Sequence, residues 1–165
     1  MTEELFETYD DAGRPAGLVP RAQVHATGRW HRSAHVFLFD PDGRLYIQLR
    51  AATKDLYPGR WDFSVGEHLK PGENFHQAAA RGLLEELGIT GVELEPLGQV
   101  RTYCCDIPAL GIADHELQLA FRGVHGGMLQ PDGVEVTEVR AIAAAELGPW
   151  IARDPDAFTP WFLHE

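Results

Sequence analysis

The chain has 165 residues, 44% of them apolar and 24% charged, which is ordinary usage for one globular domain and argues against wholesale disorder. With 14 Lys and Arg against 25 Asp and Glu, the net charge is −11, which excludes a nucleic-acid or anionic-membrane binder, because both depend on clustered cations. The start MTEELFETYDD lacks a signal-peptide pattern, no apolar run approaches the ~20 residues of a bilayer span, and adjacent Cys104 and Cys105 read as free thiols of a cytoplasmic protein.

LFETYD, DAGRP and AGLVP read as strand, turn and strand. HVFLFD and RLYIQLR flank the turn-forming PDG and are rich in aromatic and β-branched residues, so they read as a hairpin. WDFSVG is a short strand before the loop EHLKPGE. The spacing of Phe75, Ala79, Leu83 and Leu87, with Ala80 and Leu84 beside them, predicts a helix over 74–87. Asn74 stands where an N-cap belongs and Gly88 where the helix stops. ELEPLGQVRTYC, HELQLAFRGV and VTEVRAI read as strands, and AAAELGPWIARD and DAFTPWFLH as helices. There is no repeat or heptad, and strands and helices mix without strict alternation. The fold class expected is mixed α+β in a single domain over 1–165.

On the helix, Arg81, Glu85 and Glu86 are expected to project opposite Ala79, Leu83 and Leu87, with Glu85 one turn beyond Arg81 and Glu73 at the mouth of the loop. Carboxylates on a rigid helix beside a glycine-containing loop suit hard divalent cations such as Mg²⁺, which keep water and phosphate oxygens as further ligands. The same residues also describe a solvated acidic helix face.

The stretch SVGEHLKPGENFHQAAARGLLEELGI resembles the Nudix box. Glu73, Arg81, Leu83, Glu85, Glu86, Gly88 and Ile89 fall at its positions. Glu67 stands at the box glycine, and Gly82 at the first glutamate of the Arg-Glu pair. Glu67 is the expected substitute for that missing carboxylate. The resemblance implies a Nudix α/β/α sandwich, a mixed sheet between helices with the box helix on the catalytic face.

From His25 to about Leu163 the chain further resembles the isopentenyl diphosphate isomerase branch of this superfamily. That branch holds a metal on three histidines and two glutamates, matched here by His25, His31, His68, Asp114 and Glu116. Such ligands suit Mn²⁺, Zn²⁺ or Fe²⁺ better than Mg²⁺. Glu116 and Trp161 match its catalytic glutamate and its aromatic cation stabiliser, but Gly66 stands where it has a catalytic cysteine. Cys104 and Cys105, on another predicted strand, are not expected to substitute. The pattern HRxxHV, His31 to Val36, is also similar to Nudix hydrolases, and His35 and His76 read as structural or surface residues. Tyr57, Trp61, Tyr103 and Trp161 are core or stacking candidates, and Lys70, Arg50 and Arg60 are solvent or phosphate-binding candidates.

With no side chain at Gly66 to exchange a proton, the function expected is metal-dependent hydrolysis of a small-molecule diphosphate, such as a nucleoside diphosphate derivative. Glu85 and Glu86 would ligate Mg²⁺ or Mn²⁺, Arg81 would orient Glu85 or Glu73, and the general base would come from Glu67, Glu85 or Glu116. The alternatives are a prenyl diphosphate isomerase and a nucleotide- or metal-binding module without turnover. The protein is expected to act as a monomer or homodimer.

Overall fold

The computed structural model describes residues 4–165. β1 (Leu5–Tyr9) and β2 (Pro15–Pro20) form a separate antiparallel hairpin. Asp10 shapes its turn by accepting the backbone N–H groups of Ala12 and Arg14. A short helix, α1 (Arg21–Thr27), follows and ends on Gly28 in the left-handed region. No signal in the sequence marks it. Its buried face is only Val24 and His25, too short a pattern to register as periodicity.

β3 (His31–Phe39) is the centre of the main sheet, whose path is β10 (Val136–Ile142), β4 (Leu45–Arg50), β3, β9 (Ile112–Val124) and β7 (Glu95–Pro96). β3 and β9 run parallel, from His31 opposite Glu116 to Phe39 opposite Val124. β8 (Arg101–Ile107) pairs antiparallel with β9. The PDG turn forms, with Asp40 bonded to Arg44, but β3 and β4 pair only at Phe39 and Leu45. Beyond that point they part. The stretch read as one short strand divides into β5 (Trp61–Asp62), which pairs with β4, and β6 (Val65–His68), which pairs with β3.

Alternation along β3 sorts its side chains between two cores. Ala34, Val36 and Leu38 pack with Val65 and Phe121 under α2 (Phe75–Leu87), whose Ala78, Ala79, Leu83 and Leu87 are buried. Phe37 and Phe39 face the opposite core of Ile47, Trp61, Phe63, Phe158 and Phe162, closed by α3 (Ala144–Arg153) and α4 (Pro160–His164). The result is the sandwich of a mixed sheet between helices. α2 starts with reciprocal bonds, Gln77 N–H to Asn74 and Asn74 N–H to Gln77, both 2.9 Å, and ends at Gly88 with φ of 68°. Among the described residues no helix is long and apolar enough to cross a membrane.

Candidate active site

Where β3 and β4 part, a cavity of about 310 Å³ opens, lined from one side by Gln48, Glu67 and Glu86 and from the other by Ser33, His35, Phe63 and Trp161. His31, Ser33 and His35 share one face of β3. Register sets His68 beside Ser33 on β6 and Glu116 beside His31 on β9, while α1 carries His25 in from above.

His25, His31, His68 and Asp114 each present a ligand atom, and these atoms lie within 4.8 Å of one another. His31 donates Nδ1–H to the Arg29 carbonyl at 3.1 Å, which leaves the Nε2 lone pair facing Asp114 Oδ1 at 3.4 Å. His25 Nε2 is 3.7 Å from the same oxygen. The Nε2 atoms of His25 and His31 and Oδ1 of Asp114 are buried without a hydrogen-bond partner. Buried lone pairs converging without donors between them fit a metal ion and are costly otherwise. Burial, with repulsion between the imidazoles, lowers the pKa of His25 to about 3 and of His31 to about 4, so both are neutral ligands near pH 7. Burial and the neighbouring Glu116 push Asp114 up to about 7. Phe6 of β1 seals the cluster, stacked on His31 at 5.1 Å and tilted over His68 at 4.7 Å.

Glu116 Oε1 bonds His68 Nε2 at 3.0 Å, and its Oε2 accepts from Gln118 at 2.5 Å. Burial opposes its charge, but His68 and the other imidazoles outweigh that and hold the carboxyl well below the usual range. Burial also opposes a charge on His68, and Glu116 in turn raises its pKa.

The box helix contributes less to the cavity than its carboxylates suggest. Glu86 lies not on the exposed side of α2 with Glu85 but on its buried flank, with Ala79 and Gly82. At 100° per residue, position 86 lies almost over 79. Its Oε2 accepts from Gln48 at 3.1 Å and its Oε1 is buried without a partner. Burial and the nearby Glu67 raise its pKa well above the usual value. Glu85 is half exposed and pairs with Arg81 and Lys70 outside the cavity. Arg81 binds both oxygens of Glu73 at 2.9 Å, Glu67 at 2.7 Å and the His68 carbonyl at 2.8 Å. It therefore fixes the loop to the helix. Glu67 crosses α2 at Gly82, where a Cβ would lie 2.5 Å from Glu67 Cγ and 2.4 Å from Val65 Cγ1.

The cavity also holds Arg21, Arg50, Lys54 and Asp62, of which the sequence reading singled out only Arg50. Buried Asp62 accepts Trp161 Nε1–H at 2.7 Å, Thr159 Oγ1–H at 3.0 Å, Arg50 Nη1–H at 3.2 Å and the Phe63 N–H at 2.9 Å. It so ties a cation to an aromatic wall, with the guanidinium 5.1 Å from the Trp161 ring centre. Trp61 is in the core. Arg60 bonds the Phe158 carbonyl and lies over Tyr57. Cys105 is buried opposite Asp114 on β8, nearer the site than its predicted strand suggested, and burial raises its thiol pKa; Cys104 is exposed. Trp161 is readable from the sequence as an aromatic in a Pro-Trp-Phe tail, whereas Asp62 carries no sequence signal, because its partners come from the far end of the chain.

A family model described as NUDIX domain matches residues 29–162. The chain is 38% identical over 156 residues to a protein of Nocardia farcinica, covering 94% of this chain and 88% of that one. It is 39% identical over 160 residues to one of Streptomyces coelicolor, covering 96% and 80%. Both are named isopentenyl-diphosphate Delta-isomerase. Among solved structures, DR0079 from Deinococcus radiodurans shares the fold with a TM-score of 0.72 at 20% identity over 91% of this chain and 90% of that one.

These names overturn the expectation of a pyrophosphohydrolase, since relatives covering nearly the whole chain are named isomerases. That expectation rested on the missing side chain at Gly66. An empty position shows only that no proton is exchanged there, whereas Glu116, Trp161 and the imidazole cluster are gathered around one cavity. The matched family model and the near-full-length relatives make the chain a member of the NUDIX domain family.

Proposed function

We propose that this protein interconverts isopentenyl diphosphate and dimethylallyl diphosphate by moving one proton off carbon 2 and another onto the terminal methylene. The observation that carries this reading is Glu116, a buried carboxylate held ionised by His68 in the same cavity as Arg21, Arg50, Lys54 and Trp161. The relatives' names support it.

Arg21, Arg50 and Lys54 offer ion pairs to a diphosphate, and bound divalent ions would offset the carboxylates that outnumber them in the cavity, bringing the five-carbon tail toward Phe63 and Trp161. His25, His31, His68 and Asp114, with Glu116 beside them, would hold an ion such as Mn²⁺, and Glu86 with Glu67 would hold Mg²⁺. Such ions, when bound, supply positive charge against the diphosphate and the site's carboxylates. Glu116 would accept the proton from carbon 2. Trp161 would stabilise positive charge at carbon 3 as the double bond shifts.

The test is incubation with isopentenyl diphosphate, Mn²⁺ and Mg²⁺, with products followed by NMR. Dimethylallyl diphosphate is expected, and Glu116→Gln is expected to lose at least 100-fold in rate, the scale of a missing general base. Release of phosphate or diphosphate without the isomer, or no reaction, overturns the reading.

A further inference from the structure

Moving a double bond along three carbons needs a group that gives a proton at one end as well as one that takes a proton at the other. Most titratable groups of the cavity are committed elsewhere. His25, His68 and Asp114 belong to the imidazole cluster. Asp62 is saturated by four donors, Glu67 is tied to Arg81, and Glu86 is the carboxylate proposed for Mg²⁺. Glu4 and Asp55 pair with Arg21, Glu135 pairs with Lys54, and Arg50 is locked to Asp62. His35 remains. It lines the same cavity and shares the face of β3 with His31 and Ser33, which places it further along the sheet from the cluster.

We infer that His35, oriented by Glu165, is the proton donor that works with Glu116 in the proposed isomerisation; the inference rests on that reading. Four observations support it. Buried His35 has Nδ1 3.1 Å from Glu165 Oε1, and the Glu165 carboxylate is itself buried and also held by Arg101. Against burial, those two partners lower the Glu165 pKa, so an ionised carboxylate accepts Nδ1–H and fixes the orientation of the ring. Nε2 has only Ser33 Oγ at 3.4 Å, a long contact that leaves this nitrogen available to a substrate. In register, His35 lies directly opposite Gly66, where no side chain comes between it and the cavity.

Phe63 completes the arrangement. Its ring stacks on the His35 imidazole with centres 4.2 Å apart. A Cβ at position 66 would come 2.8 Å from Phe63 Cε2. A glycine at 66 and a ring over His35 therefore fit together, and a larger residue at 66 would displace the wall of the proton donor.

In the step, the Nε2–H bond of His35 breaks as a C–H bond forms at the terminal methylene of isopentenyl diphosphate. The double bond moves to carbons 2 and 3, and a C–H bond at carbon 2 gives its proton to Glu116. No electrons enter or leave. The proton gained by Glu116 and the one lost by His35 are re-equilibrated with solvent through the open side of the cavity before the next turnover.

The test measures isomer formation by wild type, His35→Gln, Glu165→Gln and Glu116→Gln, with circular dichroism and bound Mn²⁺ as controls. His35→Gln is expected to lower kcat at least 100-fold while KM and bound Mn²⁺ stay within about threefold. Glu165 acts through His35, so Glu165→Gln is expected to lower kcat about tenfold with KM unchanged. Added imidazole should restore part of the rate to His35→Ala. A His35→Gln protein within threefold of wild-type kcat, beside an inactive Glu116→Gln, overturns the inference and leaves the isomerase reading standing. A wild type that makes no isomer overturns both. If His35→Gln does not fold, an unchanged kcat in Glu165→Gln overturns the inference.

Discussion

Gly82 shows how one residue without a side chain redirects the chemistry around it. By helix propensity an alanine there should be better by about 1 kcal/mol. The structure opposes this, because the added Cβ would meet Val65 Cγ1 at 2.4 Å and Glu67 Cγ at 2.5 Å, and Val65 is fully buried. Overpacking of this kind costs about 1–3 kcal/mol, and the contact with Glu67 would push its carboxylate from Arg81. Gly82→Ala is therefore expected to lower the unfolding free energy by about 1–2 kcal/mol in urea titration. A more stable variant would show that β6 yields easily at this crossing. The same economy holds at Gly66, where the space of a side chain belongs to the Phe63 ring.

At the scale of elements, the cluster depends on four pieces of chain: α1 brings His25, β3 His31, β6 His68 and β9 Asp114, and the β1–β2 hairpin closes over them through Phe6. Without metal, His25 and His31 make this assembly acid-sensitive, whereas Asp114, pushed up to about 7, and His68, raised by Glu116, act in the opposite sense; the sign for the two histidines follows from their own shifts. Their folded pKa values, about 3 for His25 and about 4 for His31, lie below the ordinary 6.5. The unfolded chain therefore takes up these protons first as pH falls, so their contribution is complete above pH 6.5 and is lost down to about pH 4 for His31 and about pH 3 for His25, with a slope of at most about 1.4 kcal/mol per pH unit for each group. The unfolding temperature of EDTA-treated wild type should fall more steeply with pH over that range than that of His25→Gln/His31→Gln. Equal pH dependence in the two proteins would contradict this. Added Mn²⁺ should raise the unfolding temperature of the wild type only.

Elements whose signals are local were readable in the sequence. α2 shows in its four-residue spacing, Asn74 and Gly88, and the β3–β4 turn in PDG. The parting of β3 from β4 was not readable, because it depends on β6 inserting beside β3, a pairing between distant segments. Glu86 was grouped with Glu85 by adjacency, although helical rotation sets it beside Ala79 and Gly82. His35 was read as structural or surface, yet the alternation of a strand puts His31, Ser33 and His35 on one side. Once β3 is assigned, that spacing is the signal that finds it.

Over the whole molecule, a net charge of −11 surrounds a cavity whose cations are Arg21, paired with Glu4, Lys54, paired with Glu135, and Arg50, locked to Asp62 and the Leu56 carbonyl. Opening where the sheet divides, the cavity takes residues from both faces: Glu86 and Gln48 from the side of α2, and His35, Phe63 and Trp161 from the side of α4. A proton can so be removed and added at different ends of one small substrate. The most direct test is turnover of isopentenyl diphosphate in D₂O, followed by deuterium NMR. The account predicts that each dimethylallyl diphosphate formed carries one deuteron in a methyl group, and that Glu116→Gln abolishes this incorporation. Product without deuterium in a methyl group, or diphosphate cleavage in its place, would contradict it.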